Sequence, residues 1–246
     1  AADQGSRIVL IDDQPQLGGH LRFDQQTYDS VPGFQGKTGV EIARAMAQSV
    51  AESDSIEVMS NATVFGLYQD KLLGILAGDW RITLRAKRLV IATGAHEIPL
   101  LFENNDLPNI LLASAARRLV GLYGIRPGAN AVVATNTELG YQTALELLDA
   151  GVNVAAVIDT NVESSRPDLS VAVSARGTRV LQGHRVDKAT GRGQVKGVLV
   201  APVDGAPQGR PERIPCDLVC MSGGYQPVDA LLQQAGGRSS FNARIG

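Results

Sequence analysis

The chain of 246 residues is 44% hydrophobic, and its 23 Lys and Arg nearly balance 25 Asp and Glu, for a net charge of −2. That length and apolar content supply core for one large domain or two small ones, and the lack of any basic run argues against nucleic acid or an anionic membrane as partner. Two cysteines, Cys216 and Cys220, cannot build a disulfide scaffold, and no apolar stretch approaches the ~18 residues of a membrane span. With an opening AADQGSR that lacks a signal-peptide core, these features predict a cytoplasmic protein.

Residues 7–11 (RIVLI) form a continuous β-branched run, the pattern of a strand buried on both faces of a parallel sheet. The run ends in Asp12 and Asp13, followed by Leu17-Gly18-Gly19. In dinucleotide-binding βαβ units the second strand ends in an acid that takes the ribose hydroxyls, about 20 residues after a glycine-rich phosphate turn. Only eleven residues precede Asp12. The chain is therefore expected to be a segment of a longer polypeptide, with the first strand and its glycine turn upstream. An ordinary strand and turn with no upstream partner is the alternative.

Thr38 opens a predicted helix to about Ser53, with Val40, Ile42, Ala43, Met46, Ala47 and Val50 at helical spacing. Residues 56–59 read as a strand, and 62–69, 71–76 and 81–84 as an antiparallel meander. Leu89-Val90-Ile91-Ala92 returns to the buried-strand pattern and runs into Thr93-Gly94-Ala95, and residues 95–112 read as a linker. The plan then repeats. Strands are expected at 131–134 and 154–158, around a helix at 138–150 closed by Gly151. Segments 178–181, 185–187, 194–201 and 212–214 suggest a second antiparallel insert, before a strand at 218–221. The fold class is thus α/β with two Rossmann-like dinucleotide-binding domains, each with a small antiparallel insert: 1–112, 113–220, and a return segment 221–246.

The chemistry lies at strand ends. A carboxylate at Asp12, or at Asp13, can accept two charge-assisted bonds from vicinal ribose hydroxyls. Gly18, Gly19, Thr93, Gly94 and Ala95 sit at turns where backbone approaches a ligand closely. In the second unit, aligning Gly140 with the third glycine of the phosphate turn puts Thr135 and Thr137 where the first two belong. Their Cβ atoms obstruct the turn, although hydroxyls and a helix N-terminus could still take an anion. Asp159 would be the acid of that second site. Cys216 and Cys220 bracket a strand, are expected to face one side, and read as core thiols rather than a redox pair. His20, His96 and His184 lack metal-ligand spacing, although His20 and His96 both follow glycine turns and could line one crevice. No residue is assigned a catalytic role, and no metal site is expected.

IDDQPQLGGHL, RLVIATGAHEIPLLFENNDLPNILLASAARRL, VVATNTELGYQTALEL and CDLVCMSGGYQP together resemble the α subunits of heterotetrameric sarcosine oxidases and related amine- and amino-acid-oxidising complexes. The resemblance implies a disulfide-reductase-like flavoprotein module with NAD or FAD at the first site and FMN near a subunit interface. The implied partners are a catalytic β subunit, itself a flavoprotein, together with smaller subunits. On this basis Asp12 matches the ribose-binding acid, and Gly18, Gly19, Thr93 and Gly94 the cofactor-lining turns. The implied activity is oxidative demethylation of sarcosine to glycine, formaldehyde and H2O2, with the chemistry on the partner. A stand-alone NAD(P)H-dependent flavin reductase and a scaffold subunit with a non-redox nucleotide are the competing readings.

Overall fold

The protein is described by a computed structural model covering residues 5–164, 166–203 and 211–240. It divides into two compact units, 1–95 with 227–246 and 96–226, rather than after 112 and 220.

In the first unit, β1 (Ile8–Ile11) is followed by β2 (Thr27–Tyr28), β3 (Lys37–Thr38) and α1 (Gly39–Ala51). Thr38 caps α1 through a full capping box. Its hydroxyl accepts the Glu41 N–H, and the Glu41 carboxylate accepts the Thr38 N–H at 2.7 Å. Next come β4 (Ile56–Met59), parallel to β1 in register Ile8↔Ile56, and the expected meander of β5 (Ala62–Tyr68), β6 (Leu72–Ala77) and β7 (Trp80–Arg85). Residues 89–92 depart from expectation. They form no strand, and Val90 is 87% exposed. A buried parallel strand needs neighbours to complete its ladder. Among the described residues β1 pairs only with β4 and is half-buried throughout, so nothing receives 89–92. Leu89 and Ile91 instead pack, with Ile11 and Met59, on the core of the meander around Leu67, Leu73 and Ile75.

The chain enters the second unit through β8 (Ala95–Glu97). The stretch expected to be a linker then contributes β9 (Ile110–Leu112) and leads directly into α2 (Ala113–Tyr123). The remaining elements are β10 (Asn130–Thr135), α3 (Glu138–Asp149), β11 (Asn153–Asp159), α4 (Pro167–Ala175), β12 (Arg179–Gln182), β13 (His184–Gly191), β14 (Val195–Pro202), β15 (Glu212–Ile214), β16 (Leu218–Ser222) and β17 (Tyr225–Pro227). Gly151 follows α3 at φ +77°, the left-handed conformation expected just past a helix end. The parallel sheet runs β12-β11-β10-β16-β9. β12 therefore belongs to this sheet, not to the antiparallel insert, which is β13-β14-β15. Alternation in β10 shows why the sheet is apolar throughout. Ala131 and Val133 join the cluster formed with α2, α3 and α4, while Val132 and Ala134 join that of the insert. After β17 the chain returns to the first unit and ends its described structure with α5 (Ala230–Gln234), whose Gln234 Oε1 accepts the Leu67 N–H at 2.7 Å.

Candidate functional site

In the first unit the ladder with β4 extends one residue past β1, the Asp12 N–H donating to Met59 O at 3.0 Å. This fixes Asp12 at the carboxyl end of a parallel strand, where α/β sheets bind ligands. One oxygen, Oδ1, accepts the Gln14 N–H at 2.8 Å in a local turn. The other accepts no bond among the described residues, and the side chain is only half-buried. Asp13 is exposed, with Oδ1 accepting from Gln14 Nε2 at 3.0 Å. Gly18 has φ +117°, and a Cβ there would stand 2.9 Å from the Ala43 Cβ on α1, so only glycine permits this approach. Gly19, at φ +51°, has open space on its Cβ side and starts a 3-10 turn to Phe23. His20 stacks near Phe23, ring centroids 5.7 Å apart.

Thr93 and Gly94 lie on a second edge of the same unit. The Thr93 hydroxyl donates to Val228 O at 2.5 Å, the Val228 N–H to Gly94 O at 3.0 Å, and Gly94 has φ +71° with open space beside it. Together with Ile91, Pro227, Asp229 and Leu232 these residues line a cavity of about 220 Å³. Ala95 is half-buried and begins β8.

The second unit places its candidates differently. Thr135 and Asp159 are paired in register at the ends of β10 and β11. The Thr135 hydroxyl accepts the Thr137 N–H at 3.0 Å and donates to Thr137 O at 2.8 Å, closing the turn before α3 on itself. Gly140 keeps the close helix–strand approach of its glycine position, since a Cβ would stand 2.3 Å from the Thr135 Cβ. Asp159 is 1% exposed. Its Oδ2 accepts the Tyr141 hydroxyl at 2.7 Å, and its Oδ1 accepts both the backbone and side-chain N–H of Asn161 at 2.9 Å. Sequence reasoning passes over Tyr141 and Asn161. The available signal is a large hydroxyl-bearing ring next to Gly140, on the buried face of a helix.

Glu97, within the string TGAHEIP, is buried, and its Oε2 accepts the Ser114 N–H at 2.8 Å, capping α2 where Leu112 offers no side-chain oxygen. Arg117 on α2 makes a two-pronged pair with Glu146 on α3, at 2.9 and 2.7 Å. A larger hollow of about 530 Å³, lined by Asn130, Asn153, Arg179 and Asp217, opens at the amino ends of the parallel strands, the end that α/β sheets do not use for ligands.

Both cysteines are free and buried, but they do not share a side. Cys220 packs in the helix-side cluster and Cys216 in the insert-side one, since Cys216 precedes β16 and lies outside the strand's alternation. Burial pushes the Cys216 thiol up to about 12 and the Cys220 thiol higher still. Among the described residues no group of His, Cys, Asp and Glu could hold a metal, and no helix is long and apolar enough to cross a membrane.

A family model described as pyridine nucleotide-disulphide oxidoreductase matches residues 1–242. The chain is 31% identical over 268 residues to the sarcosine oxidase alpha subunit of Corynebacterium sp. (strain U-96), covering 100% of this chain and 26% of that protein. It is 29% identical to an opine oxidase subunit of Agrobacterium tumefaciens (strain Ach5), over 65% of this chain and 33% of that one. The chain thus spans about a quarter of the sarcosine oxidase subunits it matches. Among solved structures, the T. acidophilum thioredoxin reductase matches with TM-score 0.76 at 18% identity, over 99% of this chain and 76% of that one. The P. horikoshii L-proline dehydrogenase matches with TM-score 0.71 at 21% identity, over 95% and 40%.

Proposed function

The chain belongs to the pyridine nucleotide-disulphide oxidoreductase family, and on that premise we propose that it is the nucleotide-binding portion of an oxidoreductase α subunit. The observation that carries this reading is Asp12, a strand-end carboxylate whose second oxygen is uncommitted. It accepts the ribose hydroxyls of NAD or FAD, while Gly18 and Gly19 on one side, and Thr93, Gly94 and Ala95 on the other, give the cofactor close passage over backbone. Bound there, the dinucleotide supplies hydride or electron transfer capacity to the complex.

The substrate chemistry is assigned to a partner β flavoprotein, with FMN at the interface and smaller subunits completing a cytoplasmic assembly. This is supported by the relatives named as alpha subunits. The overall reaction is sarcosine, water and O2 giving glycine, formaldehyde and H2O2. No residue of this chain is assigned to bond breaking.

The test uses the subunit expressed with its native flanking sequence. The visible spectrum is recorded, and the nucleotide released on denaturation is identified by mass. NAD without flavin supports this reading, whereas FAD moves electron transfer onto the subunit itself and favours a flavin reductase. Asp12→Ala should weaken nucleotide binding by about 1.5–3 kcal/mol, the worth of a hydrogen bond to a charged group. Unchanged affinity removes Asp12 from the site.

A further inference from the structure

We propose that the second unit holds no dinucleotide: the groups its architecture would aim at one are turned inward, as a lock that ties α3 to β11 and β10. The argument starts from what a ribose needs. A strand-end acid must keep at least one accessible oxygen, as Asp12 does, for a ribose hydroxyl to donate to it. Asp159 presents neither, since Tyr141 occupies Oδ2, Asn161 occupies Oδ1 twice, and the side chain is 1% exposed. Seating a ribose would strip three hydrogen bonds from a buried carboxylate, including that from the Tyr141 hydroxyl.

The phosphate end fails for a separate reason. A pyrophosphate needs bare backbone N–H groups over a glycine turn. Here the Thr137 N–H is already donated to Thr135 Oγ1, and the Thr135 side chain fills the space against Gly140. The turn is further tied down from the neighbouring strand, the Asn136 N–H donating to Ser222 O at 3.2 Å, and from beyond β11, Asn161 Nδ2 donating to Asn136 O at 2.9 Å. Burial, followed by the adjacent Asp159 carboxylate, raises the Tyr141 hydroxyl above its ordinary value, so it remains a donor to Asp159 through the neutral range. The fold of a pyridine-nucleotide domain is thus retained as a structural element, and electrons do not enter from NAD(P)H at this unit.

The test is hydrogen exchange on the full-length subunit, stripped of nucleotide and then given NAD+, NADH, NADP+ and FAD in turn. No nucleotide should protect 135–141 or 159–161, and protection of either segment by any of the four overturns the inference. Protection at 12–19 alone supports both the first-unit site and the closed second unit. No protection anywhere sustains the closed second unit while refuting the reading of the first. As a second readout, the Thr135→Gly, Thr137→Gly double variant and Tyr141→Phe should bind nucleotide as the parent does. Tyr141→Phe should also melt at lower temperature. A loss of about tenfold or more in affinity in either variant would overturn the inference.

Discussion

Replacing Arg117 by alanine should cost the second unit about 3–5 kcal/mol. The magnitude follows from where the pair sits. Arg117 has a side-chain exposure of 5% and Glu146 of 12%, and the guanidinium holds both carboxylate oxygens across α2 and α3. Removing the cation takes from the largely buried Glu146 a two-pronged counter-charge, a loss that water makes good only at exposed pairs. At roughly 2–4 °C per kcal/mol for a chain of this size, the melting point should fall by about 6–20 °C. The Arg117→Met, Glu146→Leu double variant should recover most of that, because it removes the burial cost along with the attraction. Trp80 is the chain's one tryptophan and lies in the first unit, so its fluorescence would miss the event. Hydrogen exchange across 113–149, or far-ultraviolet circular dichroism, is the appropriate signal. A single-variant loss under about 1 kcal/mol, the range of exposed pairs, would refute the reasoning. So would a double variant no better than the single.

Three further outcomes are expected. Cys216 and Cys220 should resist a thiol-specific maleimide at pH 8 in the native protein and both react in urea, since burial raises both thiols; rapid native labelling would contradict their placement. Gly140→Ala should destabilise by about 1–3 kcal/mol through overpacking, and in a denaturant titration the loss should shrink more in a Thr135→Gly background than in a Thr135→Ser one, because the added Cβ meets the Thr135 Cβ at 2.3 Å as well as its Cγ2 and Oγ1. The Thr38 backbone N–H, followed by its hydroxyl, holds the Glu41 carboxyl below its ordinary value. Its contribution is therefore present above the unfolded-state value and lost as pH falls through the folded one. Glu41→Gln should remove that acid-side loss from the stability–pH profile, and an unaltered acid limb would show that the capping box contributes nothing.

Local features are legible in the sequence wherever local physics decides them. The β-branched run at 8–11 becomes a parallel strand delivering Asp12 to its carboxyl end, Thr38 and Glu41 announce the start of α1, and short turns between apolar runs give the meander. Segment 95–123 is less readable. Three-residue strands carry too little periodicity to stand out, and the buried Arg117 interrupts the apolar stripe of α2. β12 is misplaced by its pattern because a four-residue strand with only Val180 and Leu181 apolar reads alike in a parallel ladder and an antiparallel insert.

The sequence by itself determined that strands end in acids, and that threonines replace glycines before α3. It did not determine what those acids do. Asp12 and Asp159 follow similar strands, yet one keeps an oxygen free while the other is consumed by Tyr141 and Asn161. Tyr141 lies 18 residues before Asp159 along the chain, and only the packing of α3 against β11 brings its hydroxyl to the carboxylate. Likewise, the β-branched character of 89–92 expresses a preference for a strand, but a ladder exists only where a neighbouring backbone offers its hydrogen bonds. Both outcomes depend on which surfaces meet, and spacing along a chain does not encode that.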